Sequence, residues 1–169
     1  PPAPDRANTT WLIDYTSHLE QSLTDLTDWV EQAVEPAETY FELDDGQIIL
    51  SSSAKERGGI QPVVSVTADG AKSVQVSAGT PVQLHVHAEV PPRAGNIVSI
   101  KWDLDGTGTY PVSGESDGSS AEVTDVLEWT YDAPGTYFPT ALVESHREGD
   151  VAATSRRIPN VDAARVVVT

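Results

Sequence analysis

At Ile60 the period of the hydrophobic pattern changes from helical to two, and this constrains the fold more than any other feature of the sequence. The run Pro81–Val90 shows the new period most clearly. Val82, Leu84, Val86 and Ala88 fall on one side, and Gln83, His85, His87 and Glu89 on the other. Successive side chains of a strand point to opposite faces, so such a run predicts a strand with one buried and one wet face. Val63–Thr67, Ser73–Ser77, Ile97–Asp103, Ala121–Thr130, Thr136–Glu144, Asp150–Arg156 and Arg165–Thr169 are expected to be strands too. Turn signals separate them, among them Ala68-Asp69-Gly70, Ala78-Gly79 and Pro134-Gly135. Short strands at this spacing predict a mainly β chain, with an antiparallel β-sandwich over residues 60–169.

Before Ile60 the pattern is different. Residues 1–36 read as a polar, Pro-rich tether and one long amphipathic helix that begins near Trp11, capped by Thr9 or Thr10 and stopped by Pro36. Leu12, Tyr15, Leu19, Leu23, Leu26, Val30 and Val34 recur at steps of three and four, and Trp11 and Trp29 share an edge of that stripe. Asp14, Glu20, Asp25, Asp28, Glu31 and Glu35 take the opposite face. No Lys or Arg occurs in 11–35, so no i,i+4 ion pair offsets the repulsion. Such a helix is a good docking element, and the expected bed for its stripe is the chain's own sandwich or a neighbouring domain. Residues 37–59 form a connector. A short hairpin is expected around Asp45-Gly46, between Tyr40–Leu43 and Ile48–Leu50, followed by one helical turn at Ala54–Arg57 ended by Gly58-Gly59.

Charge excludes several functions. The net charge is −16, with twelve acidic and three basic residues in 1–59 and fourteen and seven in 60–169. A nucleic-acid partner is not expected, because phosphate binding needs the opposite sign. Membrane insertion is not expected either, since no apolar run approaches the ~18 residues a spanning helix needs. With no Cys, thiol chemistry and cysteine zinc sites are excluded. Position 1 is Pro and there is no Met, so the chain is expected to be part of something longer.

Two motifs carry a family resemblance. The first is Ile97–Gly106, which places Trp102 in mid-strand ahead of the acidic turn Asp103-Leu104-Asp105-Gly106. The second is Trp129–Val143, a strand, then Pro134-Gly135, then Tyr137 entering the next strand. A Tyr there buries its ring while its hydroxyl bonds backbone near the corner. Together they resemble the PKD-type repeat, which implies an immunoglobulin-like sandwich over residues 60–169. Leu104-Asp105-Gly106, Trp129 and Pro139 depart from the repeat's pattern, and Pro139 is expected at an edge or a bulge. The whole chain is also similar to the C-terminal region of bacterial α/β-hydrolase-fold (tannase/feruloyl-esterase-like) proteins. The likeness rests on Leu23–Glu31, on Pro36-Ala37-Glu38-Thr39-Tyr40 and on Ser145-His146-Arg147-Glu148-Gly149-Asp150. It implies that the helix ends a hydrolase domain whose catalytic residues lie upstream.

No catalytic residue is assigned to the chain itself. Gly114-Glu115-Ser116-Asp117-Gly118 matches G-x-S-x-G in letters, but it lacks the strand before and helix behind that a nucleophile elbow needs. His146 has no evident orienting base nearby in sequence. No cofactor is expected, with calcium at Asp103 and Asp105 as the one metal candidate, against a reading in which these side chains cap turn amides. His85 and His87 share a strand face without a third ligand and read as surface residues. Sequence therefore points to a non-catalytic accessory module that docks on an upstream catalytic domain through Trp11, Tyr15, Leu19, Leu23, Leu26, Trp29 and Val30. The alternative is a carbohydrate- or matrix-binding or cell-surface adhesion module, with Tyr110 and Trp129 as the glycan contacts.

Overall fold

The structure, a computed structural model, describes residues 13–169. Trp11, Leu12 and the proposed caps Thr9 and Thr10 therefore lie outside the described residues. The elements, in order, are α1 (Thr16–Gln32), β1 (Glu42–Asp44), β2 (Gln47–Ile49), α2 (Ala54–Arg57), β3 (Val63–Ala68), β4 (Ser73–Val76) and β5 (Pro81–Glu89). They continue with β6 (Asn96–Asp103), β7 (Val112–Ser113), β8 (Glu122–Thr130), β9 (Gly135–Tyr137), β10 (Thr140–His146), β11 (Ile158–Ala163) and β12 (Arg165–Val168).

The fold is mainly β, with an immunoglobulin-like sandwich. One layer is β3-β5-β8 and the other is β11-β10-β6-β7, with β4-β12-β9 continuing the second where β10 and β11 run on into β9 and β12. All pairs are antiparallel except β12 with β4. The alternation read in β5 holds: Val82, Leu84, Val86 and Ala88 are buried, and they meet Ile97, Ile100, Trp102, Ala141, Val143, Val166 and Val168 in one core. His85 and His87 lie on the outer face, as their alternation requires.

Pro139 falls where an edge begins, since β6 flanks β10 only as far as the Thr140↔Asp103 pair and β9 is the end strand of β4-β12-β9. It separates β9 from β10, opposite Ala164, whose N–H still reaches the Pro139 carbonyl at 3.1 Å. Proline has no N–H to return, so the strand breaks over Phe138-Pro139 while the register on both sides of the break stays the same. Asp150–Arg156 is not a strand. Asp150 Oδ1 accepts the Ala152 N–H at 2.8 Å and holds a turn, and the next strand is β11, unread in the sequence. The hairpin β1–β2 forms as expected, with Asp45 and Gly46 at φ 46° and 76°, the left-handed pair that a tight two-residue turn requires. Ser53 caps α2 by accepting the Glu56 N–H, and Ala54 N–H bonds Glu89 of β5, which ties the connector to the sandwich.

The tyrosine after β8 is more deeply placed than the one after the Pro-Gly turn. Tyr131 is buried and its hydroxyl donates to the Leu104 carbonyl at 2.8 Å. Tyr137 is half-buried, stacks on Tyr131 with centroids 4.2 Å apart, and donates to Ala133 O at 3.0 Å, the corner bond the sequence suggested. Burial, with Asp105, Tyr137 and Asp103 adding negative charge, pushes the Tyr131 hydroxyl well above its ordinary value of 10.0. A raised folded-state value favours the neutral hydroxyl, so its stabilisation is fully present below pH ~10 and is lost as pH rises beyond that. Alkaline unfolding followed by circular dichroism is expected to begin above that point and to move to higher pH in Tyr131→Phe. The same substitution is expected to cost about 1–2 kcal/mol at pH 7, because it leaves Leu104 O unpaired, measurable by urea titration.

Candidate functional site

Helix α1 is preceded by Asp14, whose Oδ1 accepts both the backbone N–H and the hydroxyl of Thr16 at 2.8 and 2.6 Å. It ends before Pro36, at Ala33, which sits at φ 57° and lets the Ala33 and Val34 N–H groups close on Trp29 O and Asp28 O. The face it turns to the sandwich is the polar one, so of the two beds expected for the apolar stripe the chain's own sandwich is not the one used. Gln21 and Asp25 are its buried residues, flanked by half-buried His18, Thr24 and Asp28. The i, i+3, i+4, i+7 spacing of this set is as regular as that of the apolar stripe.

Two contacts tie this polar face to the sandwich, and a bond within the helix braces the first of them. The Asp25 carboxylate takes both terminal nitrogens of Arg147, Nη1 to Oδ1 and Nη2 to Oδ2, the second at 3.1 Å. Gln21 Nε2 donates to the same Asp25 Oδ1 at 2.9 Å. Glu20 Oε2 accepts the Arg156 backbone N–H at 2.8 Å. A bidentate guanidinium–carboxylate pair fixes direction as well as distance, so a single residue of the 145–150 turn orients the helix. The preference for polar over apolar packing follows from the bed: the surface offered by the loops after β10 presents Arg147 and a free backbone donor, which acidic side chains satisfy and leucines do not. Burial lowers the His18 pKa, so its imidazole is held neutral against this surface.

The apolar stripe is consequently open. Tyr15, Leu23 and Val30 are 71%, 66% and 77% exposed, and Leu19, Leu26, Trp29 and Val34 are about half exposed. The hairpin adds Phe41, Leu43 and Ile48, all exposed. Between the helix end and the connector lies a cleft of about 130 Å³, lined by Asp25, Asp28, Val34, Pro36, Arg93 and Arg147.

The other sequence candidates fall elsewhere. Asp103 is buried, and its two oxygens accept the Thr107 and Gly108 N–H groups at 3.0 and 2.5 Å, while Asp105 is exposed. Asp103 thus caps the turn, and among the described residues no group of three or more His, Asp or Glu side chains is placed to hold a metal. Tyr110 is half-buried in the loop after β6, where burial and the Asp103 charge raise its pKa. Trp129 is 38% exposed near the end of β8. The glycines of Gly114–Gly118 have structural causes. A Cβ on Gly118 would meet Gly149 O at 1.9 Å, and one on Gly114 would meet the Asp125 carboxylate. Ser116 Oγ donates to Ile97 O at 2.6 Å. His146 does have a carboxylate beside it, since Glu148 lies 3.4 Å from Nε2. Its Nδ1 accepts the Asp150 N–H, so both ring nitrogens are used locally and neither serves Ser116.

Comparison with known proteins gives little beyond this topology. No family model and no curated protein matches the chain. Among solved structures, a CARDB domain of a Pyrococcus furiosus protein, crystallised in complex with di-metal ions, is similar with a TM-score of 0.43 and 19% identity, over 64% of this chain and 88% of that one. The solution structure of the same domain gives a TM-score of 0.42 and 20% identity, over 64% and 96%.

Proposed function

We propose that the chain is a non-catalytic accessory module that docks on an upstream catalytic domain of the hydrolase type, with the α1 stripe and the β1–β2 hairpin as the docking surface. One observation carries this reading: α1 is fixed to the sandwich by its polar face, which leaves Tyr15, Leu19, Leu23, Leu26, Trp29 and Val30 turned outward along one side. Single exposed leucines need no explanation, but a continuous apolar stripe left in water is the kind of surface that marks an interaction site. The resemblance to hydrolase tails lends further support. Two of the three stretches on which it rests, Leu23–Glu31 and Ser145–Asp150, meet in the Asp25–Arg147 pair, so the second sets the direction in which the stripe of the first is presented.

The test is to produce the segment of the reading frame upstream of Pro1 as a separate polypeptide and titrate it with this chain by calorimetry. One-to-one binding is expected, weakened at least 100-fold by Leu23→Asp with Trp29→Asp, because burying each such side chain contributes about 1.5–3 kcal/mol. A frame without a hydrolase domain, or binding indifferent to both substitutions, would sink the docking reading. Ester hydrolysis by the isolated chain that disappears in Ser116→Ala would sink the non-catalytic one.

A polysaccharide partner is the second reading, favoured by the exposure of Trp129. Retention on insoluble polysaccharide, abolished by Trp129→Ala and by Tyr110→Ala, is its expected signature.

A further inference from the structure

The long edges of the sandwich are not treated alike. The outer edge of β3 is closed by side chains of β11: Asp162 Oδ2 accepts the Val66 N–H at 2.6 Å, and Asn160 Nδ2 donates to Pro62 O at 2.7 Å. The edge of β8 has no such cover. Val90 N–H bonds Ala121 O at 2.8 Å, and the β5–β8 register continues from that pair through Ala88↔Val123, Val86↔Asp125, Leu84↔Leu127 and Val82↔Trp129. Bonded and non-bonded pairs alternate in an antiparallel ladder, so Thr124, Val126, Glu128 and Thr130 turn their backbone N–H and C=O groups away from β5. Among the described residues nothing bonds to those groups. At Glu122 the row is closed, since the Ser120 hydroxyl engages both its N–H and its C=O.

An uncovered row of this length is a template for another strand, and sheet edges are commonly guarded by Lys, Pro or a bulge. β8 contains no Lys and no Pro, its register with β5 runs without a shift from Glu122 to Thr130, and its one inward-pointing charge, Asp125, is already engaged by the Trp102 indole. Charge decides what the edge accepts. β3, β5 and β8 together contain Glu89, Glu122, Asp125 and Glu128 and no Lys or Arg. A second copy of this chain would bring the same acidic sheet to it, with −16 on each molecule.

We infer that the β8 edge binds an extended, Lys- or Arg-bearing segment of another protein by strand addition, with the four outward backbone positions supplying the hydrogen bonds and Glu122 and Glu128 selecting basic side chains. Main-chain pairing gives such a complex its affinity and alternate side chains its specificity. The inference does not depend on the helix stripe.

The probe is a labelled nine-residue peptide with Lys opposite Glu122 and Glu128 and β-branched residues between them, titrated by fluorescence anisotropy at low salt. Its control is the same peptide N-methylated on the amides that would face β8. The unmethylated peptide is expected to bind at least tenfold tighter than the control and to slow hydrogen exchange at Thr124, Val126, Glu128 and Thr130. Val126→Pro is expected to abolish the difference, because that N–H points outward and its loss breaks no bond to β5. Should the variant not fold, the methylated peptide still decides the matter. Equal affinity for both peptides would reduce the effect to charge adsorption and overturn the inference. A chain that sediments as a dimer with those four amides already protected would overturn it too, by showing that a second copy fills the edge.

Discussion

Trp102→Ala is expected to cost about 3–5 kcal/mol, read as a large fall in the urea midpoint at unchanged slope. The side chain is 0% exposed and lies between the layers, so truncation loses its transfer free energy and opens a cavity that stiff strands on both sides cannot close. Most single domains have only about 5–15 kcal/mol in total, which makes this a large share. The indole also has a polar duty, because Nε1 donates to Asp125 Oδ2 at 3.0 Å. Asp125 points inward from β8, so the indole satisfies a carboxylate at a position that alternation reserves for apolar groups. Trp102→Phe therefore separates the two contributions. It keeps much of the volume but leaves the carboxylate without that donor, and it is expected to cost about 1–3 kcal/mol. Adding Asp125→Leu should recover part of that loss. If the double variant were no more stable than Trp102→Phe alone, the hydrogen bond would not be the source of the second cost.

The sandwich was legible because its information is local. Alternation in β5 names the buried set without reference to any other strand, and Asp45-Gly46 names its turn. β11 escaped because Ile158-Pro159-Asn160-Val161-Asp162-Ala163 does not alternate cleanly and contains a proline. It is an edge strand, where a proline is tolerated, and its Asn160 and Asp162 are spent on closing β3. Asp150–Arg156 was misread for the opposite reason. Val151 and Ala153 mimic alternation, but Asp150 caps a turn there, and the segment's use is to offer the Arg156 N–H to Glu20. The apolar stripe of α1 was equally plain in the sequence, and its destination was not. Asp25 meets Arg147 122 residues away, and nothing in local pattern records a pairing of that separation. The spacing of the stripe left open whether the chain's own sandwich or a neighbouring domain covers it, and the sandwich meets the polar face instead.

That pair supports the second large effect. Arg147→Ala is expected to free α1 from the sandwich while the sandwich itself stays folded. Breaking a fully buried ion pair costs about 3–5 kcal/mol and an exposed one about 0–1. Asp25 is buried here and the Arg147 side chain is 30% exposed, so a cost of about 1–3 kcal/mol is expected. Among the described residues little else holds the helix: Glu20 contributes one bond to a backbone N–H, while Gln21 Oε1 and Arg147 Nε, both buried, have no partner there. The stripe contributes nothing to this contact because it faces out. Loss of the pair should therefore appear as faster hydrogen exchange throughout 16–32 and greater mobility of Trp29 in fluorescence anisotropy, with the urea midpoint of the sandwich unchanged. Acid should act in the same direction. The His18 pKa is lowered by burial, so docking is favoured while the ring is neutral; that contribution is complete above the ordinary value of 6.5 and is lost as pH falls below it through the lowered value of the docked helix. Asp25→Asn should free the helix as Arg147→Ala does, and the double variant should cost no more than either alone, since both remove one interaction. Additive losses would mean that the two side chains hold the helix through separate contacts, and that the turn at 145–150 does not set the direction in which the stripe faces.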